Sequence, residues 1–210
     1  MTISDKRLKE AARHYAKFCK VLDIDIEKAD TIGTPLRVAK MLYEDFTVGQ
    51  RDMPFKFTTF PVTQDVANQL VSVCGIRMVS MCGHHHLPFT GVCHVCYLPK
   101  TKLVGLSKIP RTIQWVARQP SMQEDILTKI RDVFVKQLDP RFIGVRIAAE
   151  HTCMSCRGPL DSESRTFTDV FWCESTSSVT GEGLTLTDFE PTRQEFYRNI
   201  SEWYSMKGRA

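Results

Sequence analysis

No apolar run in this 210-residue chain approaches the ~18 residues that a membrane-spanning helix needs. The opening stretch MTISDKRLKEAARHYAKF is charged and helical in pattern, without an apolar leader. A cytoplasmic protein is therefore expected, with no membrane partner. Lys and Arg are scattered rather than massed, and the net charge is only +4. That leaves no footprint for nucleic acid, although it suits a small anionic substrate. Internal repeats and low-complexity tracts are absent. The chain is also short of charge extremes: 42% hydrophobic and 25% charged is the composition of an ordinary globular protein. Eight Cys without a leader point to a reducing compartment, where thiols serve as metal ligands, nucleophiles or core fillers rather than as a disulfide scaffold. Cys19 and Cys74 lie in periodic apolar segments and read as core.

What is present is an alternation of helical and strand patterns. DKRLKEAARHYAKFCKVLD reads as a helix. A second helix follows in TPLRVAKMLYEDF, with Thr34 as N-cap, Pro35 at the first helical position, and Val38, Met41, Leu42 and Phe46 on one face. VGQRDMPFKFTTFPVTQ is punctuated by Pro and Gly and reads as a loop. QLVSVCGIRMVSMC and TGVCHVCYLP read as strands. In the second, Val92, His94 and Cys96 point one way and Cys93, Val95 and Tyr97 the other. LSKIPRTIQWVARQ predicts a helix capped by Ser107, and MQEDILTKIRDVFVKQL a longer one with acidic residues in its first turn. IGVRIAAEHTC and SRTFTDVFW are strand-like, ESTSSVTGEG is a polar loop, and EPTRQEFYRNISEWYSM is a terminal helix. Strands separated by pairs of helices imply an α+β domain, a largely antiparallel sheet with helices on one face.

Chemistry concentrates in MCGHHHLPFTGVCHVCYLP, residues 81–99, which holds three of the eight Cys and four of the six His. Cys82 and His85 form a C-x2-H pair, a spacing that suits zinc, and Cys153 in EHTCMSC offers a third ligand from a distant strand. Three protein ligands leave a fourth position for water, the catalytic pattern; a structural site is normally closed by four. His84 would point away from His85 in an extended chain, free for proton transfer. His151, two residues before Cys153, would share its strand face. Cys93 with Cys96 and Cys153 with Cys156 also have C-x2-C spacing, so a closed four-cysteine ribbon competes. Against it, no other part of the chain looks like knuckle hairpins, and a chain of this length needs no metal to fold. His94 reads as a satisfied core or interface residue, and His86 as an exposed turn residue.

An anion-binding side is also suggested. Ser107, Lys108 and Arg111 lie at a helix start, where free N–H groups and the dipole favour phosphate. Arg157 follows Cys153 closely, and Arg37 lies in the first turn of the TPLRVAK helix. Each alone is more often a solvated surface charge. Glu124, beside Gln123, offers a carboxylate of the kind that guanine's two adjacent N–H donors would require.

Taken together, TPLRVAKM, MCGHHHLPFTG, YLPKTKLVGLSKIPR, MQEDIL, EHTCMSCRG and PTRQEF occur in an order that resembles the GTP cyclohydrolase I family, over about residues 33 to 200. The resemblance implies hydrolysis of the GTP imidazole ring, release of formate and rearrangement to 7,8-dihydroneopterin triphosphate, a product common to folate, biopterin and deazaguanine routes. It implies Zn2+ on Cys82, His85 and Cys153, proton transfer by His84 and His151, and Ser107 acting near the ribose. It further implies Lys108, Arg111, Arg157 and Arg37 on the triphosphate, with Gln123 and Glu124 reading the purine. The family fold is the tunnelling fold, a homo-oligomer, here a decamer, with active sites between subunits. A helical N-terminal region at 1–48 and one catalytic unit at 49–210 are expected.

Two features depart from the family pattern. Gly83 replaces a Glu, with His86 a candidate substitute for part of its work, and residues 173–189 look longer than their counterpart. Gly83 favours a second reading, a zinc- and nucleotide- or pterin-binding paralogue without turnover. A third is a related tunnelling-fold enzyme acting on another purine nucleotide.

Overall fold

The structure is a computed structural model that describes residues 3–174 and 185–208. Most of the extra length noted at 173–189 falls on residues 175–184, outside the described residues.

Two helices open the chain, α1 (Asp5–Val21) and α2 (Thr34–Asp45). Ser4 caps α1 by accepting from the Arg7 N–H at 3.4 Å, one of the side-chain oxygens that satisfy free N–H groups at a helix start. In α2 the N-cap is Gly33 rather than Thr34, which is already helical and puts Pro35 in the first turn. Pro35 and Ala39 are the buried residues of α2. Ala39 meets Leu8 and Ala12 of α1 in a small cluster of its own.

The segment read as a loop contains a 3-10 turn at Val48–Gln50, a short strand β1 (Thr59–Pro61) and a short helix α3 (Gln64–Ala67). Next come the long strands β2 (Val71–Cys82) and β3 (Pro88–Leu98), then β4 (Lys102–Val104), which pairs with β1. Helix α4 (Lys108–Ala117), strand β5 (Pro120–Ser121) and helix α5 (Gln123–Leu138) follow. Strand β6 (Phe142–His151), a one-turn helix α6 (Thr152–Ser155), strand β7 (Thr166–Cys173), a 3-10 turn (Leu186–Phe189) and helix α7 (Glu190–Lys207) complete the chain. Ser107 sits at the N-cap position of α4, but its side chain makes no cap hydrogen bond, contrary to the expectation from sequence.

The main sheet runs β5-β2-β3-β6-β7 and is antiparallel except for the two-residue parallel pair of β5 with β2. The α+β class is the expected one. Apolar residues at helical spacing, Ile109, Ile113 and Val116 on α4 and Ile126, Ile130 and Phe134 on α5, pack on the sheet face carrying Cys93, Val95, Tyr97, Val145 and Ile147. All are essentially inaccessible, and each such side chain contributes about 1.5–3 kcal/mol from burial.

Helices do not cover one face alone. Helix α7 lies across the other, where Phe196 and Ile200 meet Cys96 and Phe142. Its approach is fitted by Gly75, at the β2–β3 irregularity: φ there is +77°, and a Cβ would stand 2.2 Å from the Trp203 indole. Only glycine meets both conditions without strain.

Cys93 and Cys96 therefore face opposite cores, which rules out their acting as a metal-binding pair. His94 is buried as expected but not fully satisfied. Its Nδ1 accepts from the Gly75 N–H at 3.3 Å, while Nε2 has no hydrogen-bond partner and the ring lies against Trp203 and Tyr204. Burial, and secondarily the Arg146 charge, lower its pKa to about 4.

The topology gives the sheet two distinct ends. β2, α4 and β6 all terminate at one end, where α5 and β7 begin. β4 lies at the other end, where α4 begins.

Candidate active site

Cys82 closes β2. The chain turns back through residues 83–87, with the Cys82 N–H donating to the Leu87 carbonyl at 2.8 Å and the His86 N–H to the Cys82 carbonyl at 2.9 Å. The left-handed residue of this turn is His86, at φ +53°, not Gly83. A Cβ on Gly83 would meet nothing closer than the Ser121 backbone at 3.5 Å, an ordinary contact. A side chain is thus sterically acceptable there, and no positive φ demands glycine. His86 is exposed, as the turn reading expected.

Register brings the distant parts together. Ser121 of β5 pairs with Cys82 and accepts from the Gly83 N–H at 3.1 Å, which puts the start of α5 beside the turn. Phe89 at the start of β3 pairs with His151 at the end of β6, and their rings stack at 4.4 Å and 15°. Strand β6 ends at His151, so Cys153 belongs to α6 and does not share a strand face with it. The helical turn swings the thiol back toward Cys82, helped by the Thr152 hydroxyl, which donates to the Pro88 carbonyl.

The outcome is a cluster in which the ligand atoms of Cys82, His85 and Cys153 all lie within 4.8 Å of one another. Both thiols are free. Burial raises the Cys153 pKa, the neighbouring Cys82 thiol raises it further, and Arg157 opposes the shift. Two adjacent thiols with one imidazole form a donor set of the type that binds zinc and leaves one position open. A bound cation would oppose the upward shift of Cys153, because thiolate is the ligating form. It is the one such cluster among the described residues, and Cys156 is not part of it.

Cys82, His84, Ser121, Met122, Gln123, Glu124, His151, Cys153, Met154 and Thr166 line a cavity of about 190 Å³. This is below the roughly 300–1,000 Å³ of sites that enclose a ligand of drug size. Glu124 and His84 are exposed at its rim. His151 is half-buried, and its pKa is lowered by burial against an opposing pull from Glu124.

Gln123 behaves differently from Glu124. Its side chain is 2% exposed. Its Nε2 donates to Thr168 Oγ1 at 2.8 Å and approaches the Thr166 and Ile147 carbonyls at 3.3 and 3.4 Å. Its Oε1 lies 2.8 Å from His151 Nε2. The N–H groups of this amide are thus all engaged within the chain.

The residues expected to hold the triphosphate are not gathered around this cavity. Arg157 is close enough to act on Cys153. Ser107, Lys108 and Arg111 lie at the opposite end of α4, a ten-residue helix about 15 Å long. The Arg37 guanidinium donates to the Asp30 carbonyl at 2.8 Å and to Thr34 Oγ1 at 3.3 Å, within its own segment. Sequence reasoning missed Phe89, Thr166 and Thr168. Nothing local marks them, since cross-strand register and the placement of α5 decide their role.

Comparison with known proteins gives a consistent result. The family model described as GTP cyclohydrolase I matches residues 11–182. The chain is 36% identical over 185 residues, 88% of its length, to GTP cyclohydrolase 1 of Hydrogenobaculum sp., 93% of which is covered. It is 39% identical over 176 residues to that of Chlorobaculum tepidum, covering 84% of this chain and 73% of the relative. Against that of Aquifex aeolicus it is 35% identical over 200 residues, 95% of this chain and 98% of the relative. No helix among the described residues is long and apolar enough to cross a membrane.

Proposed function

The chain belongs to the GTP cyclohydrolase I family, and from that premise we propose that it hydrolyses the imidazole ring of GTP, releases formate and yields 7,8-dihydroneopterin triphosphate with the help of one zinc ion. The observation that carries this reading is the convergence of Cys82, His85 and Cys153 beside His151 and Glu124 in one cavity. Those three residues would hold the metal. When bound, zinc supplies a water activated near neutral pH and a Lewis acid.

The remaining work falls to the chain's own groups. The Glu124 carboxylate accepts from guanine's N1–H and exocyclic amine, which orients the base. His151 stands beside it and moves protons to and from the purine ring nitrogen during ring opening. His84, on the rim, is the second proton-transfer residue. Ser107 acts next to the ribose, while Lys108, Arg111, Arg157 and Arg37 hold the triphosphate, so that remote binding energy fixes the position of the reacting carbon.

The small cavity and the distance along α4 favour a homo-oligomer, with the decamer as the expected form. In it Ser107, Lys108 and Arg111 of one copy serve the metal cluster of another. Residues 49–210 then form the catalytic unit, and residues 1–48 an accessory helical region in the same cytoplasmic protein.

Incubating the zinc-loaded protein with GTP tests the reading. Stoichiometric formate and a product that becomes a fluorescent pterin on oxidation are expected. Binding of GTP without formate would instead establish the non-catalytic paralogue that Gly83 favours.

A further inference from the structure

The same site contains a device that its ligands and substrate contacts do not explain. Four hydrogen-bonding contacts surround the Gln123 side chain, and they determine which end of the amide faces which neighbour. One end lies against the Ile147 and Thr166 carbonyls as well as Thr168 Oγ1. Backbone carbonyls only accept, so this end is the NH2 group; a flipped amide would set oxygen against two oxygens. The other end is therefore the carbonyl oxygen, and it lies 2.8 Å from His151 Nε2. An amide oxygen has no hydrogen to give. The bond exists only with a proton on Nε2.

Neutral imidazole carries one proton. With that proton on Nε2, Nδ1 is the bare nitrogen, and it has no hydrogen-bond partner among the described residues. The ring cannot readily swivel to exchange the two. Phe89 stacks on it at 4.4 Å with planes 15° apart, and Gln123 is itself 2% exposed and held from three sides.

We propose that Gln123 is a positioning residue that holds His151 in its Nε2–H tautomer, so that Nδ1 is the nitrogen that exchanges a proton with the purine. In the protonated ring both nitrogens carry hydrogen. Nδ1–H gives its proton to the purine ring nitrogen, and the N–H electron pair stays on Nδ1. The ring returns to the Nε2–H form that Gln123 already accepts from, and no reorientation is needed. The outer hydrogen-bond partner of a metal-bound imidazole typically contributes 10–100-fold, and a contribution on that scale is expected for this orienting bond. The proposal rests on the activity proposed above. It replaces purine reading as the work of Gln123 and leaves recognition to Glu124.

The test uses full-length zinc-loaded protein, with Gln123→Met compared with the parent. Gln123→Met should lower kcat about 10–100-fold, with KM for GTP within about threefold and zinc content unchanged. Nitrogen-15 NMR of histidine-labelled parent protein, with the His151 signals identified by their loss in His151→Asn, should show the Nε2–H tautomer. A raised KM with unchanged kcat in Gln123→Met would restore the purine-reading role and overturn the proposal. An Nδ1–H tautomer in the parent would overturn it without any variant having to fold. If the parent leaves GTP unchanged, the proposed activity fails, while the NMR result still decides whether Gln123 orients the ring.

Discussion

The two ends of α4 make an instructive pair. Where the helix ends, two β5 residues connect it to α5, and the turn after β2, the end of β6 and the start of α5 converge on one metal-type cluster and one cavity. Where the helix begins, Ser107, Lys108 and Arg111 belong neither to that cluster nor to the cavity lining. Lys108 instead lies 5.8 Å from the centre of the Phe55 ring. One end carries the metal-type donors without the residues proposed to hold the triphosphate, and the other carries those residues without the donors. On the proposed reading a single copy builds two halves of different sites, with α4 between them.

The strongest way to break this comparison is at the chemical end. Cys153→Ser removes one of three donors, and bound zinc should fall from about one per chain to near zero, with turnover lost entirely. Full metal occupancy by elemental analysis would refute the ligand set. At the other end, Lys108→Ala should raise KM for GTP about 10–100-fold, the scale of a charge-assisted contact, while zinc content stays at the parent level. Loss of metal in that variant would mean that the two ends are not separable.

Gly83→Glu sharpens the comparison further. The open space above Ser121 and the absence of a positive φ predict a melting temperature close to that of the parent. If the family's carboxylate assists here, turnover should rise by up to about tenfold. A large fall in melting temperature would show that the turn needs glycine after all. A double-mutant cycle with His86→Leu then tests whether His86 has taken over part of that work, coupling beyond ~0.5 kcal/mol marking interaction.

The smallest expected effect lies away from both ends, at His94. Its folded-state pKa is lowered to about 4 from 6.5 by burial and by Arg146. The folded protein therefore resists a proton that the unfolded chain accepts. Stability is complete above pH 6.5 and declines as pH falls toward about 4. Denaturant melts of the parent and His94→Gln across that range should differ in slope, the variant being flatter. Parallel slopes would remove His94 from the account.

Much of this was legible in the sequence for identifiable reasons. Cys82 and His85 share one turn, so their spacing alone announces a chelating pair, and the long helices and strands carry clear periodicity. What was not legible depends on register between distant segments. Two residues of β5 are too few for any period, yet they bring Glu124 to Cys82. The engagement of Gln123 by β6 and β7 groups follows from where α5 lands on the sheet. Cys153 read as strand because EHTC continues an alternating pattern, which the backbone abandons one residue earlier. The position of α7 on the second face is decided by Gly75 and Trp203, residues 128 positions apart.

Subunit mixing tests the central claim, that each active site unites the metal cluster of one copy with the anion-binding residues of another. Cys153→Ser and the double variant Lys108→Ala/Arg111→Ala are each expected to be nearly inactive at low GTP concentration. Co-expressed with different tags and purified as mixed oligomers, they should regain activity, because about a quarter of randomly assembled shared sites contain both intact halves. Mixed oligomers verified by mass spectrometry that turn over GTP no faster than the sum of the two variants would contradict the claim, and would place both halves of every site in a single chain.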